Sequence, residues 1–356
     1  REGKVYDTDK FMWLQGRQVW CFAMLYNLVE EKQEWLDFAV HGADFIEKYG
    51  RDEAGDWYFS LTRQGQPLVQ PYNIFSDCFA AMGFGQLYKA TNREVHKEIA
   101  VRTFYRILNR IENPKGKYSK VVQGTRSLKG LSLPMILSNL VLEIEHVLPP
   151  EVVERTIRNC IHDVMGDFYH PESGLMLENI TDDGAYSDSY EGRMIMPGHS
   201  LESMWFLMDI AVKENDQELI RKAVDISLNL IEYGWDRQYG GIFYVLDIKG
   251  HPPQHLEWDQ KLWWVHLEAL VAMLKGYYLT GDERCLTWFE KIHDYTWSHF
   301  PDKEGGEWFG YLNRRGEVLL PLKGGKWKGC FHVPRCLYQA WNTLELILTK
   351  QHAVIG

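Results

Sequence analysis

Histidine is the side chain whose charge changes closest to neutral pH, so it suits proton transfer. One histidine sits where a helix should begin, in Met196-Pro197-Gly198-His199-Ser200-Leu201-Glu202. Proline is pre-set for the first turn of a helix, which places His199 in that turn. Glu202 lies three positions on, on the same helix face. There a carboxylate would orient the imidazole and raise its basicity. A second histidine stands in Gly329-Cys330-Phe331-His332-Val333-Pro334-Arg335. Alone it carries little weight, because a lone histidine near an apolar helix is usually structural.

Three further groups have the right chemistry to bind a polar ligand. Arg17 follows Lys10-Phe11-Met12-Trp13-Leu14-Gln15-Gly16. An arginine there could hold a hydroxyl or polarise a carbonyl oxygen, and an ion pair with Asp77 or Glu202 is the structural alternative. Lys261-Leu262-Trp263-Trp264-Val265-His266-Leu267-Glu268 offers His266, Glu268 and two tryptophans. Trp263 and Trp264 suit either a stacking platform or the core, since helix neighbours point in different directions. Asp77 completes the set.

The elements that must position these groups repeat. Gly-centred turns recur at Gly55, Gly116, Gly174, Gly240 and Gly305, about sixty residues apart, and a fixed long period signals stacked supersecondary units. Between the turns lie paired apolar stretches with helical spacing. Examples are His199 to Lys213 with Gln217 to Tyr233, and Leu262 to Leu279 with Asp282 to His299. Asp216 is placed to cap one second helix, and Gly281 with Asp282 stop one helix and start the next. First helices of the pairs begin near Arg17, Ser76, Leu133, His199, Leu262 and His332. Six antiparallel pairs can close into a ring with the first helices inside and their N-terminal ends at one mouth. The expectation is an all-α fold, an (α/α)6 barrel with short β-hairpins at one end, forming a single domain over residues 1–356. Five second helices follow the six first ones, so the outer partner expected ahead of residue 1 is missing from the chain. In that ring Arg17, Asp77, His199, His266 with Glu268, and His332 fall at matching places. Buried charges are costly unless paired, so their recurrence on an inner wall marks a candidate site.

Composition narrows the function. Net charge is −10, with no basic stripe to meet a phosphate backbone, which argues against a nucleic-acid partner. No apolar run is long enough to span a membrane, and no secretory signal is visible at Arg1-Glu2-Gly3-Lys4. Six scattered cysteines form no C-x-x-C pair, so free thiols in a reducing cytoplasm are expected. No metal-ligand spacing and no nucleotide-binding glycine motif is present. The aromatic share of 14%, with 14 Trp and 19 Tyr, fits a carbohydrate ligand or simply a large core.

Together the segments Asp7-Thr8-Asp9-Lys10-Phe11-Met12-Trp13-Leu14-Gln15-Gly16-Arg17, Pro197-Gly198-His199-Ser200-Leu201-Glu202, Lys261-Leu262-Trp263-Trp264 with Glu268, and Cys330-Phe331-His332-Val333-Pro334-Arg335 resemble those of N-acylglucosamine 2-epimerases. The resemblance runs over essentially the whole chain. It implies the (α/α)6 barrel and interconversion of N-acetylglucosamine and N-acetylmannosamine. His199 and His332 would do the acid–base work, while Arg17, Glu202 and Glu268 match substrate positions. It further implies no required cofactor, ATP as an allosteric activator, and a homodimer. Related cellobiose 2-epimerases carry a histidine in the third inner helix, where this chain reads Leu133-Pro134-Met135-Ile136-Leu137-Ser138-Asn139. That difference favours the N-acylglucosamine branch. Cellobiose or mannose 2-epimerisation and aldose–ketose isomerisation are the near alternatives. More distant are a glycoside hydrolase, whose carboxylate pair would come from Glu202, Glu268 and Asp77, and a non-catalytic binding protein.

Overall fold

Two kinds of helix alternate along the chain, and their burial separates them. A computed structural model describes residues 1–355 apart from 121, 123, 124, 126 and 127. The odd-numbered helices are α1 (Met12–Leu28), α3 (Ile74–Thr91), α5 (Ser132–Glu143), α7 (Pro197–Glu214), α9 (Trp263–Thr280) and α11 (His332–Ile355). The even-numbered ones are α2 (Gln33–Tyr49), α4 (Glu94–Leu108), α6 (Pro150–His162), α8 (Gln217–Gly234) and α10 (Glu283–His299). α2 buries one stripe, Ala39, Gly42, Ala43 and Ile46, as a helix with one wet face must. α3 buries every residue from Ser76 to Leu87, as a helix surrounded by protein must.

From α1 to α9 each inner helix packs on the next inner one and on the outer helix that follows it. The ring closes at Phe331, just ahead of α11. Its ring meets Trp20 of α1 edge-on at 5.2 Å and Phe79 of α3 at 5.4 Å. The outward side of α11 leaves Leu337, Trp341, Leu344 and Leu348 exposed, and among the described residues no outer helix covers them.

The capping chemistry read from sequence is present. Asp216 accepts from the N–H groups of Glu218 and Leu219 at 3.0 and 2.9 Å, and Asp282 from that of Arg284 at 2.9 Å. Gly281 ends α9 at φ +71°. The marker turns hold positive φ at Gly55, Gly116, Gly174 and Gly240, but in the last unit Gly306, not Gly305, takes that conformation. α1 starts five residues earlier than Arg17, which therefore sits more than one turn inside the helix.

Short antiparallel ladders stand at the mouth: Lys10–Phe11 with Ser60–Leu61, Leu128–Gly130 with Asn179–Thr181, Met194–Ile195 with Leu246–Asp247, and Lys261–Leu262 with Tyr311–Leu312. The first strand of each lies directly before or just ahead of an inner helix. The ladders thus tie four inner N-termini to the next unit along. Behind them the fully buried Lys261 meets Asp236 at 3.1 Å, and Arg314 reaches the same carboxylate at 2.9 Å. No helix among the described residues is long and apolar enough to cross a membrane.

α1 and α3 touch backbone to backbone. A Cβ at Gly16 would lie 2.6 Å from the carbonyl carbon of Phe79, and one at Gly83 would lie 2.8 Å from the Gly16 carbonyl oxygen. Gly16→Ala must push the two inner helices apart. It should cost about 1–3 kcal/mol, read as a lower denaturant midpoint with an unchanged m-value. An unchanged midpoint would show that the crossing can relax.

Candidate active site

The N-terminal ends of the inner helices enclose a cavity of about 820 Å³. Every inner helix gives it a side chain: Arg17, Phe79, Met135, His199, Trp264 and His332 in ring order. The two histidines come from distant parts of the chain and lie against one tryptophan. Trp264 is 5.3 Å from the His199 ring and 5.7 Å from the His332 ring, centroid to centroid.

Both imidazoles are held from behind through Nδ1. His199 Nδ1 contacts Glu178 Oε1 and Oε2 at 3.0 and 3.1 Å, and Ser132 donates to the same carboxylate at 3.3 Å. His332 Nδ1 contacts Glu268 Oε1 at 2.6 Å. A carboxylate on Nδ1 fixes that nitrogen as the N–H donor, which leaves Nε2 for the cavity. Neither Nε2 has a protein partner among the described residues.

The two rings titrate in opposite directions. Burial pulls His199 down, but Glu178 and then Glu202 outweigh it, and its pKa lies above the ordinary imidazole value. Burial, and next the charge of Arg17, hold His332 well below that value. One ring therefore keeps a proton where the other has none, which is how a site prepares an acid and a base together.

Behind His332 lies a buried ionic knot. Glu268, fully buried, accepts from Trp205 Nε1 at 2.8 Å, from Arg335 Nη2 at 2.5 Å and from Cys336 at 3.2 Å. Arg335 also bonds Glu202. Burial opposes the Arg335 charge, but Glu268 and Glu202 together hold it firmly protonated. Ligand atoms of Glu202, Glu268 and His332 lie within 4.8 Å of one another, close enough to hold a metal ion. The guanidinium between the two carboxylates already supplies the positive charge they need.

Arg17 is held by π faces instead of carboxylates. Its guanidinium carbon lies 4.5 Å from the Trp13 ring, 4.0 Å from Phe79 and 4.4 Å from Phe331. Its Nε is buried without a partner, and among the described residues no carboxylate pairs with it. The ion pair with Asp77 or Glu202 does not form. Burial lowers its pKa to about 9, which leaves it a cation at neutral pH with N–H groups unspent.

Of the residues singled out from sequence, His199, His332, Arg17, Glu202 and Trp263 line the cavity. Three others do not. Asp77 is fully buried on the far side of α3, paired with Arg110 at 3.2 Å. Phe75 and Phe79 face the cavity, and a residue two positions from each must face away. Asp77 is pushed up to about 7 by burial, against the pull of Arg110. His266 accepts from the Ile242 N–H at 2.9 Å and donates to the Leu262 carbonyl at 2.7 Å. Nε2 ties α9 to the Gly240 hairpin and Nδ1 is spent on the helix's own N-cap carbonyl, and burial drops its pKa to about 3. Glu268 stands behind His332 and off the wall. Glu202 does not orient His199 either, because Arg335 takes it. Glu178 does that work. Its number gives no hint, since it lies in a strand turn 21 residues before His199. Arg335 had a signal: a positive charge one turn beyond His332 in an apolar helix needs buried acids.

The residue matches extend beyond this site. A family model described as N-acylglucosamine 2-epimerase (GlcNAc 2-epimerase) matches residues 1–336. The N-acylglucosamine 2-epimerase of Rattus norvegicus is 38% identical over 362 residues, covering 98% of this chain and 85% of that protein. The Homo sapiens protein of the same name is 37% identical, covering 98% and 84%. Among solved structures, a D-mannose isomerase superposes with a TM-score of 0.83 at 16% identity, covering 96% of this chain and 90% of its own. The cellobiose 2-epimerase of Bacillus thermoamylovorans B4167 gives 0.80 at 19%, covering 94% and 88%. These two share the barrel, and at that identity they speak for the fold alone. Family model and close relatives together settle the lineage: the chain belongs to the N-acylglucosamine 2-epimerase family.

Proposed function

We propose that the protein interconverts N-acetylglucosamine and N-acetylmannosamine by moving the C2 proton of the open-chain sugar between His332 and His199. One observation carries this reading. Two imidazoles flank one cavity, each anchored at Nδ1 by a carboxylate, one poised neutral and the other poised protonated.

The steps follow from those states. The lone pair on His332 Nε2 takes the proton from C2, and the C2–H electrons form a C1–C2 double bond. The C1 carbonyl electrons move onto O1. Charge growing on that oxygen needs fixed donors, and the unspent N–H groups of the Arg17 cation serve as such donors. The enolate, with its N-acyl nitrogen still on C2, then collapses: O1 regains its carbonyl, and C2 takes the proton on His199 Nε2 from the other face. Inversion needs two groups on two faces, which a single base cannot supply. In the reverse direction the roles exchange. The scheme draws on no metal, and Glu202 and Glu268 spend their charge on Arg335 instead of flanking a glycosidic bond.

His332→Ala and His199→Ala should each lower kcat by about 10²–10⁴-fold, the usual worth of a positioned acid or base. The assay is N-acetylmannosamine converted to N-acetylglucosamine, run with and without ATP. ATP is proposed as an activator that changes the rate and is not consumed. Full activity in either variant removes that residue from the mechanism. In heavy water the product should carry deuterium at C2. With mannose, whose C2 bears a hydroxyl, label at C1 in a ketose product would point to isomerisation instead.

The pH profile tests the anchoring. Both directions need one proton on the histidine pair, and that proton resides on His199, whose pKa is raised. Activity is therefore lost as pH rises through that value. Glu178→Gln removes the main charge that raises it, so the alkaline limb of kcat/KM should move to lower pH. A limb that stays in place would show that another group sets it.

A further inference from the structure

The proposed chemistry places C2 between His199 and His332, so the other substituents of that carbon must leave in the directions that remain. The ring order fixes which these are. α7, α9 and α11 are taken up by His199, Trp264 and His332, and α1 by Arg17. The arc left open is α3 and α5.

That arc is apolar apart from Ser132, whose hydroxyl is engaged by Glu178, and one further polar point. Ser132, Met135 and Ile136 all line the cavity from α5, at the i, i+3, i+4 spacing of one helix face. Ser132 touches the carboxylate that holds His199, so this face adjoins the His199 side of the site. Phe75 and Phe79 of α3 continue the wall. Met135 and Ile136 are 3% and 4% exposed, yet border the cavity. The opposite reaches differ, with Tyr244, Glu257, Gln260, Tyr311 and Lys328 offering polar groups. A sugar's hydroxyl-bearing tail fits there, and an apolar wall does not suit it.

The polar point is Asn73, the N-cap of α3, which also lines the cavity. Its Oδ1 accepts from the Phe75 N–H at 2.8 Å. A backbone N–H can only be met by the amide oxygen, so the orientation of the side chain is fixed. Its Nδ2 has no partner among the described residues. An N–H donor beside an apolar wall matches a group with a carbonyl oxygen and a methyl.

We infer that Asn73, Phe75, Met135 and Ile136 form the subsite for the N-acyl group of the substrate, with Asn73 Nδ2 donating to the acyl oxygen and Met135 and Ile136 enclosing the alkyl end. The inference rests on the C2 reading above and makes this wall the determinant of acyl-sugar preference.

The test measures kcat/KM ratios within a single protein, so losses from poor folding cancel. Each protein is assayed on N-acetylmannosamine, N-propionylmannosamine and mannose. Met135→Ala and Ile136→Ala open room for one more methylene, a difference worth about tenfold in a fitted apolar pocket. At least one should raise the propionyl-to-acetyl ratio by about that factor. Asn73→Asp keeps the capping oxygen but loses the donor, and should lower the acetyl-to-mannose ratio by about tenfold. Ratios within twofold of wild type in all three variants would overturn the subsite while leaving the epimerase reading intact. If the wild-type protein turns over mannose but neither N-acyl sugar, both fall. A raised propionyl-to-acetyl ratio together with a lowered acetyl-to-mannose ratio supports the subsite directly.

Discussion

Glu268 is a fully buried carboxylate, and its four partners come from two other inner helices. Trp205 belongs to α7, Glu268 itself to α9, and His332, Arg335 and Cys336 to α11. A buried charge is tolerable only when its lone pairs are met, and taking one partner from such a knot typically costs about 3–5 kcal/mol. The knot therefore locks the last inner helix in register against its neighbours. It also decides the chemistry of His332, because an imidazole whose Nδ1 faces a carboxylate must present Nε2 to the cavity. Packing and reactivity share one contact here, and a change that loosens the first will blunt the second.

The two histidines show how one arrangement yields two states. Both rings bind a carboxylate through Nδ1, and both lie against Trp264. The difference is what surrounds them. Glu268 is shared with Arg335, so its charge is largely answered before His332 draws on it, and Arg17 stands close by. Among the described residues Glu178 meets no cation, only Ser132 and His199, so its field falls on the imidazole, and Glu202 adds to it. His199 is also the wetter of the two, with its side chain 23% exposed against 9%. Deeper burial and a cation nearby make a neutral ring. An uncontested carboxylate makes a charged one.

The barrel was legible in the sequence because its cause is local and periodic. A turn that needs positive φ recurs in every unit, and the paired stripes between turns have helical spacing. Gln217 to Tyr233 stops one residue short of α8, and Leu262 to Leu279 is displaced by one residue from α9. The site was legible in part, because a repeat brings first-helix N-termini to one mouth and so gathers His199, His332 and Arg17. Period alone does not fix which way a side chain points. Asp77 shares the axial height of the site residues, but its phase within α3 turns it outward to Arg110. His266 fails for the same reason, caught by a backbone N–H and a carbonyl behind α9. Glu178 was out of reach, because its partnership with His199 is made by the fold of an irregular connection and leaves no spacing rule to read.

A cation on aromatic faces raises a last point about why Arg17 is built as it is. An arginine paired with a carboxylate would be cheaper to bury, and Glu202 is near enough to influence it electrostatically. Yet Glu202 is engaged by Arg335, and Arg17 rests on Trp13, Phe79 and Phe331. Ring faces stabilise a guanidinium through its π surface and do not occupy its N–H groups, whereas a carboxylate in the ring plane would take two of them. The donors thus stay available for an oxygen that gains charge only during reaction. Burial first, and then the same residue, hold His332 neutral, since a fixed positive charge beside an imidazole disfavours its protonation. Arg335 makes this possible: it absorbs Glu202 and Glu268, the two carboxylates whose charge acts on Arg17.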